Sequence, residues 1–146
     1  HFKQLVSSTR IIVNYATAGM LFGRQDYLGI ARHGLNYLEK VHFQAESQTY
    51  AWTLDNHQPL DMTQQAYGYA FVLLAYAAAR KSGLVSDDSK LLMVYDLLET
   101  RFWQAEYGLY ADEISASGEL SDYRGQNANM HLCEAMLAAY EATGLS

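Results

Sequence analysis

The sequence repeats itself with an offset of 60 residues, and this repeat limits the possible folds more than any other feature. The matching segments are Leu38-Glu39 with Leu98-Glu99, Gln44-Ala45-Glu46 with Gln104-Ala105-Glu106, Tyr50-Ala51 with Tyr110-Ala111, and Leu60 with Leu120. In each copy the matches run from the end of one predicted helix through a connector. One helical hairpin is therefore predicted to occur twice.

Hydrophobic periodicity separates two kinds of predicted helix. Leu28–His42 and Leu91–Phe102 each carry one apolar face, which predicts amphipathic helices with one side in solvent. Gln4–Phe22, Thr63–Arg80 and Gln126–Thr143 are rich in Ala, Leu, Val and Tyr nearly all round, which predicts helices that are covered on every side. The predicted order is inner, outer, inner, outer, inner.

The segments between and after these helices complete the fold prediction. Gly23, Gly83 and Gly144 follow the three inner helices and are predicted to end them. The connectors Thr49–Asp61 and Gly108–Asp122 are rich in aromatic and turn residues, which predicts short β-hairpins. Together these features predict an all-α fold of about five helices that form an arc of an α/α toroid.

The predicted arc has consequences for domain organisation. We predict a single partial toroid domain over residues 1–146, with no internal boundary. An arc leaves the inner face at one end uncovered, so we expect the chain to be part of a longer protein or to pair with something that completes the ring.

Composition and charge exclude several classes of partner. The chain has 10 Lys and Arg against 16 Asp and Glu, and this net charge of −6 disfavours nucleic acids and anionic membranes as partners. The longest apolar run, 66–79, is too short to span a bilayer. Cys133 is the only cysteine, so no disulfide framework is possible, which is typical of the reducing cytoplasm.

Three polar residues interrupt the apolar pattern of the last predicted helix. Asn127, His131 and Glu134 are spaced four and three apart, so a helix places them on one face. Burying such groups without partners costs about 1–3 kcal/mol each. They are therefore expected either to form a satisfied network in the core or to line a pocket and bind a polar ligand, with Arg124, just before the helix, as a further donor.

Arg10 is the corresponding polar residue of the first predicted helix. It lies on the face of Val6 and Val13. Counting 13 residues back from Gly23, Gly83 and Gly144 gives Arg10, Ala70 and His131, which predicts that these positions lie at the same depth. Arg10 would clamp or polarise an oxygen of a ligand. The alternatives are a snorkelling side chain and an ion pair with Glu134.

Two aromatic residues are further candidates. The repeat places Tyr67 opposite Asn127, so its phenol would either point into the same cavity or pack in the core. The indole of Trp52 would either stack on a sugar ring or pack against the protein.

Signatures of other chemistries are weak. The spacing of His131 and Glu134 is not that of a zinc protease, and the other histidines form no cluster. The sequence contains no phosphate-binding glycine loop, and it implies no metal. The paired carboxylates of a glycosidase remain an alternative, although the possible acidic partners of Glu134 are limited to Asp61 and Asp122.

The chain resembles the N-acylglucosamine 2-epimerase superfamily, and most closely its bacterial aldose–ketose isomerases that act on D-mannose. The resemblance extends over nearly the whole chain. The motifs that carry it are Ser8-Thr9-Arg10, Tyr67-Gly68-Tyr69-Ala70-Phe71-Val72-Leu73-Leu74, Asn127-Ala128-Asn129-Met130-His131 and Glu134-Ala135.

The resemblance implies an (α/α)6 barrel that binds a monosaccharide in its central cavity and interconverts D-mannose and D-fructose through a cis-enediolate, without a cofactor. It maps the sugar-binding residues onto Arg10, Tyr67, Asn127 and His131. The alternatives are a 2-epimerase of the N-acylglucosamine or cellobiose type and a non-catalytic toroid fragment.

The chain also departs from this family. The two histidines that the family uses as general acid and base lie on later inner helices, beyond residue 146, so this chain alone is expected to be inactive. Gly68-Tyr69 stands where relatives often carry Asp-His, which bears on substrate preference. The resemblance does not define the oligomeric state.

Overall fold

Five α-helices account for most of the chain, as the sequence predicts. The computed structural model describes all residues from His1 to Ser146. The helices are α1 (Leu5–Phe22), α2 (Gln25–Tyr37), α3 (Ala66–Lys81), α4 (Ser89–Arg101) and α5 (Gln126–Thr143). A π-helical turn, Leu38–His42, continues α2 into the first connector.

Nine short strands lie before α1, between α2 and α3, and between α4 and α5. They are β1 (Phe2–Gln4), β2 (Phe43–Gln44), β3 (Thr49–Tyr50), β4 (Thr53–Asp55), β5 (Gln58–Asp61), β6 (Gln64–Gln65), β7 (Trp103–Gln104), β8 (Leu109–Tyr110) and β9 (Glu113–Ile114). They form one three-stranded sheet in the order β1-β4-β5 and three two-stranded sheets, β2-β3, β6-β9 and β7-β8. All of these pairs are antiparallel.

The two connectors match the predicted hairpins to different degrees. In the first, β4 and β5 form a hairpin whose turn places Asn56 and His57 at φ of 46° and 68°. In the second, the predicted hairpin is a single bridge between Ile114 and Leu120, and β9 also pairs with β6. The repeat is otherwise preserved in three dimensions, since β2-β3 and β7-β8 have the same register 60 residues apart.

The helices pack as an inner row of three and an outer pair. Helix α3 lies between α1 and α5, while α2 packs against α1 and α4 packs against α3. One cluster of 27 buried residues joins all five helices and the connectors. The predicted alternation of inner and outer helices therefore agrees with the observed packing.

The prediction that all three inner helices are covered on every side is wrong for two of them. Eleven of the 16 residues of α3 are buried, against six of 18 in α1 and four of 18 in α5. Helix α5 has α3 as its main neighbour, so its other faces, including Leu137 and Tyr140, contact solvent. Apolar composition does not cover a helix unless a neighbour is present.

The helix ends explain a further difference. Gly23 and Gly144 cap α1 and α5 in the left-handed conformation that favours glycine, as predicted. Helix α3 ends instead at Ser82 in a right-handed conformation, and Gly83 follows one residue later. Because α3 is also two residues shorter than α1 and α5, Gly83 lies one residue closer to the start of its helix than Gly23 and Gly144 do.

Candidate functional site

Arg10, Tyr67 and His131 meet within the first two turns of three adjacent helices. The guanidinium Nη2 of Arg10 donates a hydrogen bond to the Oη of Tyr67 at 3.4 Å. The rings of Tyr67 and His131 pack edge to face, with centroids 5.1 Å apart. Three of the four predicted binding residues are thus neighbours, although they lie far apart in sequence. The predicted ion pair between Arg10 and Glu134 is absent.

A fourth residue, Phe71, fills the centre of this cluster. Its ring lies 4.8 Å from the Cζ of Arg10 and has centroid distances of 5.1 Å to Tyr67 and 5.2 Å to His131. Counted from the helix starts, Arg10, Phe71 and His131 are each the sixth residue of their helix. The count from the stop glycines gave Ala70 because Gly83 is the 18th residue from the start of α3, whereas Gly23 and Gly144 are each the 19th from the starts of α1 and α5. The helix starts and the 60-residue repeat, which pairs position 71 with position 131, both identify Phe71.

His131 has a carboxylate partner on its own helix. Its Nδ1 lies 3.0 Å from the Oε2 of Glu134. An ionised carboxylate only accepts hydrogen bonds, so this contact places a proton on Nδ1. In the neutral imidazole, Nε2 then carries the lone pair and can accept a hydrogen bond. This pair fixes which ring nitrogen of His131 is available to a ligand.

The polar column of α5 does not form a satisfied network in the core, which was one of its two predicted arrangements. The side chain of His131 is 20% exposed, that of Glu134 is 60% exposed, and Asn127 is exposed and makes no side-chain hydrogen bond. Asn127 and Glu134 lie on the side of α5 that has no helix packed against it, whereas His131 packs against Tyr67 and Phe71 of α3. These groups therefore form a polar surface next to Arg10 and Tyr67 rather than a network inside the core.

The two asparagines of the Asn127–His131 motif have different surroundings. Asn127 lies one turn before His131 on the exposed side of α5. Asn129 instead accepts a hydrogen bond from the Tyr110 amide at 2.9 Å and donates to the Tyr110 carbonyl at 3.0 Å. Asn129 therefore ties α5 to strand β8, and only Asn127 is free to contact a ligand.

Arg124 does not join the cluster. Its Nη1 donates to the Oε1 of Gln104 at 2.8 Å, and its guanidinium lies 3.8 Å from the centroid of the Tyr107 ring. Both partners lie between the end of α4 and the second connector. The side chain therefore holds that segment against the start of α5.

Trp52 packs beside the cluster. Its indole is half-buried against α3, so close that a Cβ on Gly68 would lie 2.8 Å from the Cζ3 of Trp52. Gly68 is thus the residue that allows the indole to approach the helix. Trp52 makes no aromatic contact with Tyr67, Phe71 or His131.

Tyr69, where the sequence departs from the family pattern, is a core residue. Its hydroxyl accepts a hydrogen bond from the Tyr50 amide at 3.2 Å and donates to the Oε1 of Gln64 at 3.1 Å. Burial raises the pKa of Tyr69 to about 12, so the phenol stays neutral. Gly68 and Tyr69 therefore contribute to packing and do not face the cluster.

The structure shows neither a metal-binding cluster nor a membrane-spanning helix. No group of three or more His, Cys, Asp and Glu side chains is arranged to hold a metal ion. No helix combines the length and the apolar character needed to cross a bilayer.

Comparison with known proteins identifies one family over the whole chain. The family model described as N-acylglucosamine 2-epimerase (GlcNAc 2-epimerase) matches residues 1–146. D-mannose isomerase of Marinomonas mediterranea is 48% identical over 142 residues, which cover 97% of this chain and 36% of that protein. Cellobiose 2-epimerase of Ruminococcus albus is 27% identical over 156 residues, which cover 97% of this chain and 39% of that protein.

A solved structure resembles the fold closely. A crystal structure of D-mannose isomerase superposes with a TM-score of 0.93 at 46% sequence identity, covering 98% of this chain and 38% of that chain. The chain thus spans little more than a third of the length of the relatives that it matches.

Proposed function

The chain belongs to the N-acylglucosamine 2-epimerase family, and from this membership we propose that it is a segment of a cofactor-independent isomerase that interconverts D-mannose and D-fructose. The observation that carries the proposal is the cluster of Arg10, Tyr67 and His131, which converges from three helices onto one face. A relative that is 48% identical and is named D-mannose isomerase supports the choice of sugar.

We further propose that the five helices are an arc of an (α/α)6 barrel and belong to a single partial domain over residues 1–146. The inner row of α1, α3 and α5 and the outer pair of α2 and α4 support this arrangement. The side of α5 that carries Asn127, His131 and Glu134 would then border the central cavity. A cytoplasmic location likewise remains a prediction, supported by the single cysteine.

The proposed chemistry begins with removal of the proton at C2 of D-mannose, next to the C1 carbonyl. The electron pair of the broken C–H bond forms the double bond of a cis-enediolate, and negative charge develops on the sugar oxygen. Transfer of the O2 proton to O1 and return of a proton to C1, with the carbonyl now at C2, give D-fructose. The proton-transferring histidines of the family have no counterpart in residues 1–146, so this segment would supply binding and charge stabilisation.

Each residue of the cluster has a proposed part in that reaction. Arg10 would donate to the oxygen on which charge develops, because a guanidinium stays protonated throughout. His131 would contact a sugar hydroxyl through Nε2, with Glu134 fixing the orientation of its ring. Tyr67 would orient a hydroxyl beside Arg10, and Asn127 would both donate to and accept from the sugar.

Two residues are proposed to support the site from outside the cluster. Trp52 would contribute through its packing on Gly68, and Arg124 through its contacts with the segment before the second connector. Neither side chain needs to touch the sugar.

The second candidate function is sugar 2-epimerisation, favoured by the similarity to cellobiose 2-epimerase. Both reactions share the enediolate and differ in the carbon that receives the proton. Incubating the full-length gene product with D-mannose in D2O separates them. Fructose labelled at C1 is the expected product, whereas glucose labelled at C2 would indicate epimerisation, and no conversion of either kind would leave a non-catalytic toroid.

Arg10→Ala tests the site itself. Loss of a donor to a developing oxyanion lowers turnover by about 100- to 1,000-fold, so we expect a decrease of at least about a hundredfold in kcat of the full-length protein. Arg32→Ala is the matched control, because Arg32 is an exposed arginine on α2 and lies outside the cluster. Turnover by Arg10→Ala close to that of the control would refute the assignment.

A further inference from the structure

Phe71 is the residue around which the proposed sugar site is assembled. It is 7% exposed, so little of its own surface is accessible to a sugar. Its ring nevertheless touches three of the four candidate binding residues, namely Arg10, Tyr67 and His131. Phe71 has almost no accessible surface for a ligand to contact. It therefore acts through the binding residues that it touches.

The contact with Arg10 restrains a side chain that has few other contacts. Arg10 is exposed on α1, and its single side-chain hydrogen bond, to Tyr67, is long at 3.4 Å. The face of Phe71 lies within 4.8 Å of the guanidinium carbon, which is well inside the range of a cation–π interaction. The ring therefore restricts the rotamers that Arg10 can occupy while leaving its N–H groups free to donate.

The contact with His131 restrains the other side of the site. The rings of Phe71 and His131 are tilted by 46° with centroids 5.2 Å apart, so the imidazole rests against an apolar surface. Glu134 holds Nδ1 from the solvent side of α5. Together the ring and the carboxylate define the direction in which Nε2 points.

We propose that Phe71 is a positioning residue of the sugar site, a shared aromatic support that fixes Arg10 and His131 relative to each other. This inference rests on the proposed function. Its basis is the common register, because each of the three residues is the sixth of its helix. The three residues therefore lie at the same height on adjacent packed helices. The ring of Phe71, on the middle helix, keeps the distance between Arg10 and His131 constant.

Phe71→Leu in the full-length protein tests the proposal, because leucine keeps an apolar side chain and removes the aromatic face. We expect kcat with D-mannose to fall by about tenfold, in line with the strength of a partly desolvated cation–π contact. Phe102→Leu is the matched control. Phe102 is fully buried and packs edge to face on Tyr69, away from the cluster. Its replacement is expected to lower the melting temperature and to leave kcat within about twofold of the wild type.

A spectroscopic measurement separates positioning from stability. NMR of protein with labelled arginine reports the order of the Arg10 side chain at Nε. We expect that order to fall in Phe71→Leu and to stay unchanged in Phe102→Leu. Equal kcat values for the two leucine variants, or an Arg10 signal that does not respond to Phe71→Leu, would overturn the role of Phe71.

The same experiments distinguish this inference from the proposed function. If Arg10→Ala leaves turnover intact, the site assignment fails, whatever the Arg10 signal shows. If Arg10→Ala lowers turnover and Phe71→Leu matches the Phe102→Leu control, the sugar site stands and only the positioning role is lost.

Discussion

The two copies of the helical hairpin, residues 25–81 and 89–143, have similar connectors but different surroundings. Helix α3 of the first copy packs against α1, α4 and α5, and most of it is buried. Helix α5 of the second copy packs mainly against α3, and only four of its 18 residues are buried. The repeated sequence therefore defines each hairpin, whereas the helices packed around it determine how much of its inner helix is buried. Of the candidate binding residues of α5, Asn127 lies on its open face, whereas His131 packs against α3.

The largest expected difference between the copies concerns a leucine in each inner helix. Leu73→Ala in α3 removes a fully buried side chain and should lower the free energy of unfolding by about 3 kcal/mol. Leu137→Ala in α5 truncates a side chain that is 61% exposed, so the change should stay within about 0.5 kcal/mol. Urea denaturation of this chain measures both. Equal losses would mean that α5 is covered as fully as α3.

A smaller difference concerns the space beside each inner helix. The second copy has the buried Ala128 where the first has Gly68, because the indole of Trp52 fills the space of a Cβ there. Gly68→Ala should therefore lower stability by about 1 kcal/mol, since the clash outweighs the gain in helix propensity. The control Gly29→Ala, where no atom lies within 4 Å of the added Cβ, should raise stability by up to about 1 kcal/mol. Stabilisation by both changes would show that Trp52 is easily displaced.

The smallest difference concerns the equivalent tyrosines Tyr50 and Tyr110. The hydroxyl of Tyr110 donates to Glu99, so Tyr110→Phe should cost about 1 kcal/mol in thermal unfolding. The hydroxyl of Tyr50 is buried near that of Tyr76 and makes no hydrogen bond of good geometry, so Tyr50→Phe should be neutral or slightly stabilising. A larger loss of stability for Tyr50→Phe than for Tyr110→Phe would contradict these assigned hydrogen-bonding environments.

Much of the fold follows from local sequence. Hydrophobic periodicity and the 60-residue repeat predict the five helices and their inner and outer order, and Gly23 and Gly144 identify the ends of α1 and α5. What sequence could not predict depends on neighbours in space. Strand β9 pairs with β6 in addition to its own hairpin bridge, and the open face of α5 follows from the absence of a helix against it.

In the candidate site, too, some contacts follow from local sequence and others depend on neighbours in space. Helical spacing relates His131 to Glu134, and the hydrogen bond between them is present. The repeat brings Tyr67 to the level of Asn127. Phe71 was missed because an apolar residue in an apolar helix carries no local signal, although the 60-residue offset that pairs Tyr67 with Asn127 also pairs Phe71 with His131. Whether these residues bind a sugar remains a prediction.

The most direct test of the sugar site compares two histidines in the full-length protein. His131→Ala should lower kcat for the conversion of D-mannose to D-fructose by at least about a hundredfold, because the ring contacts both Phe71 and Tyr67 where the sugar would bind. His33→Ala, on the exposed side of α2, should leave kcat unchanged. Near-normal turnover by His131→Ala would contradict a sugar site at this cluster.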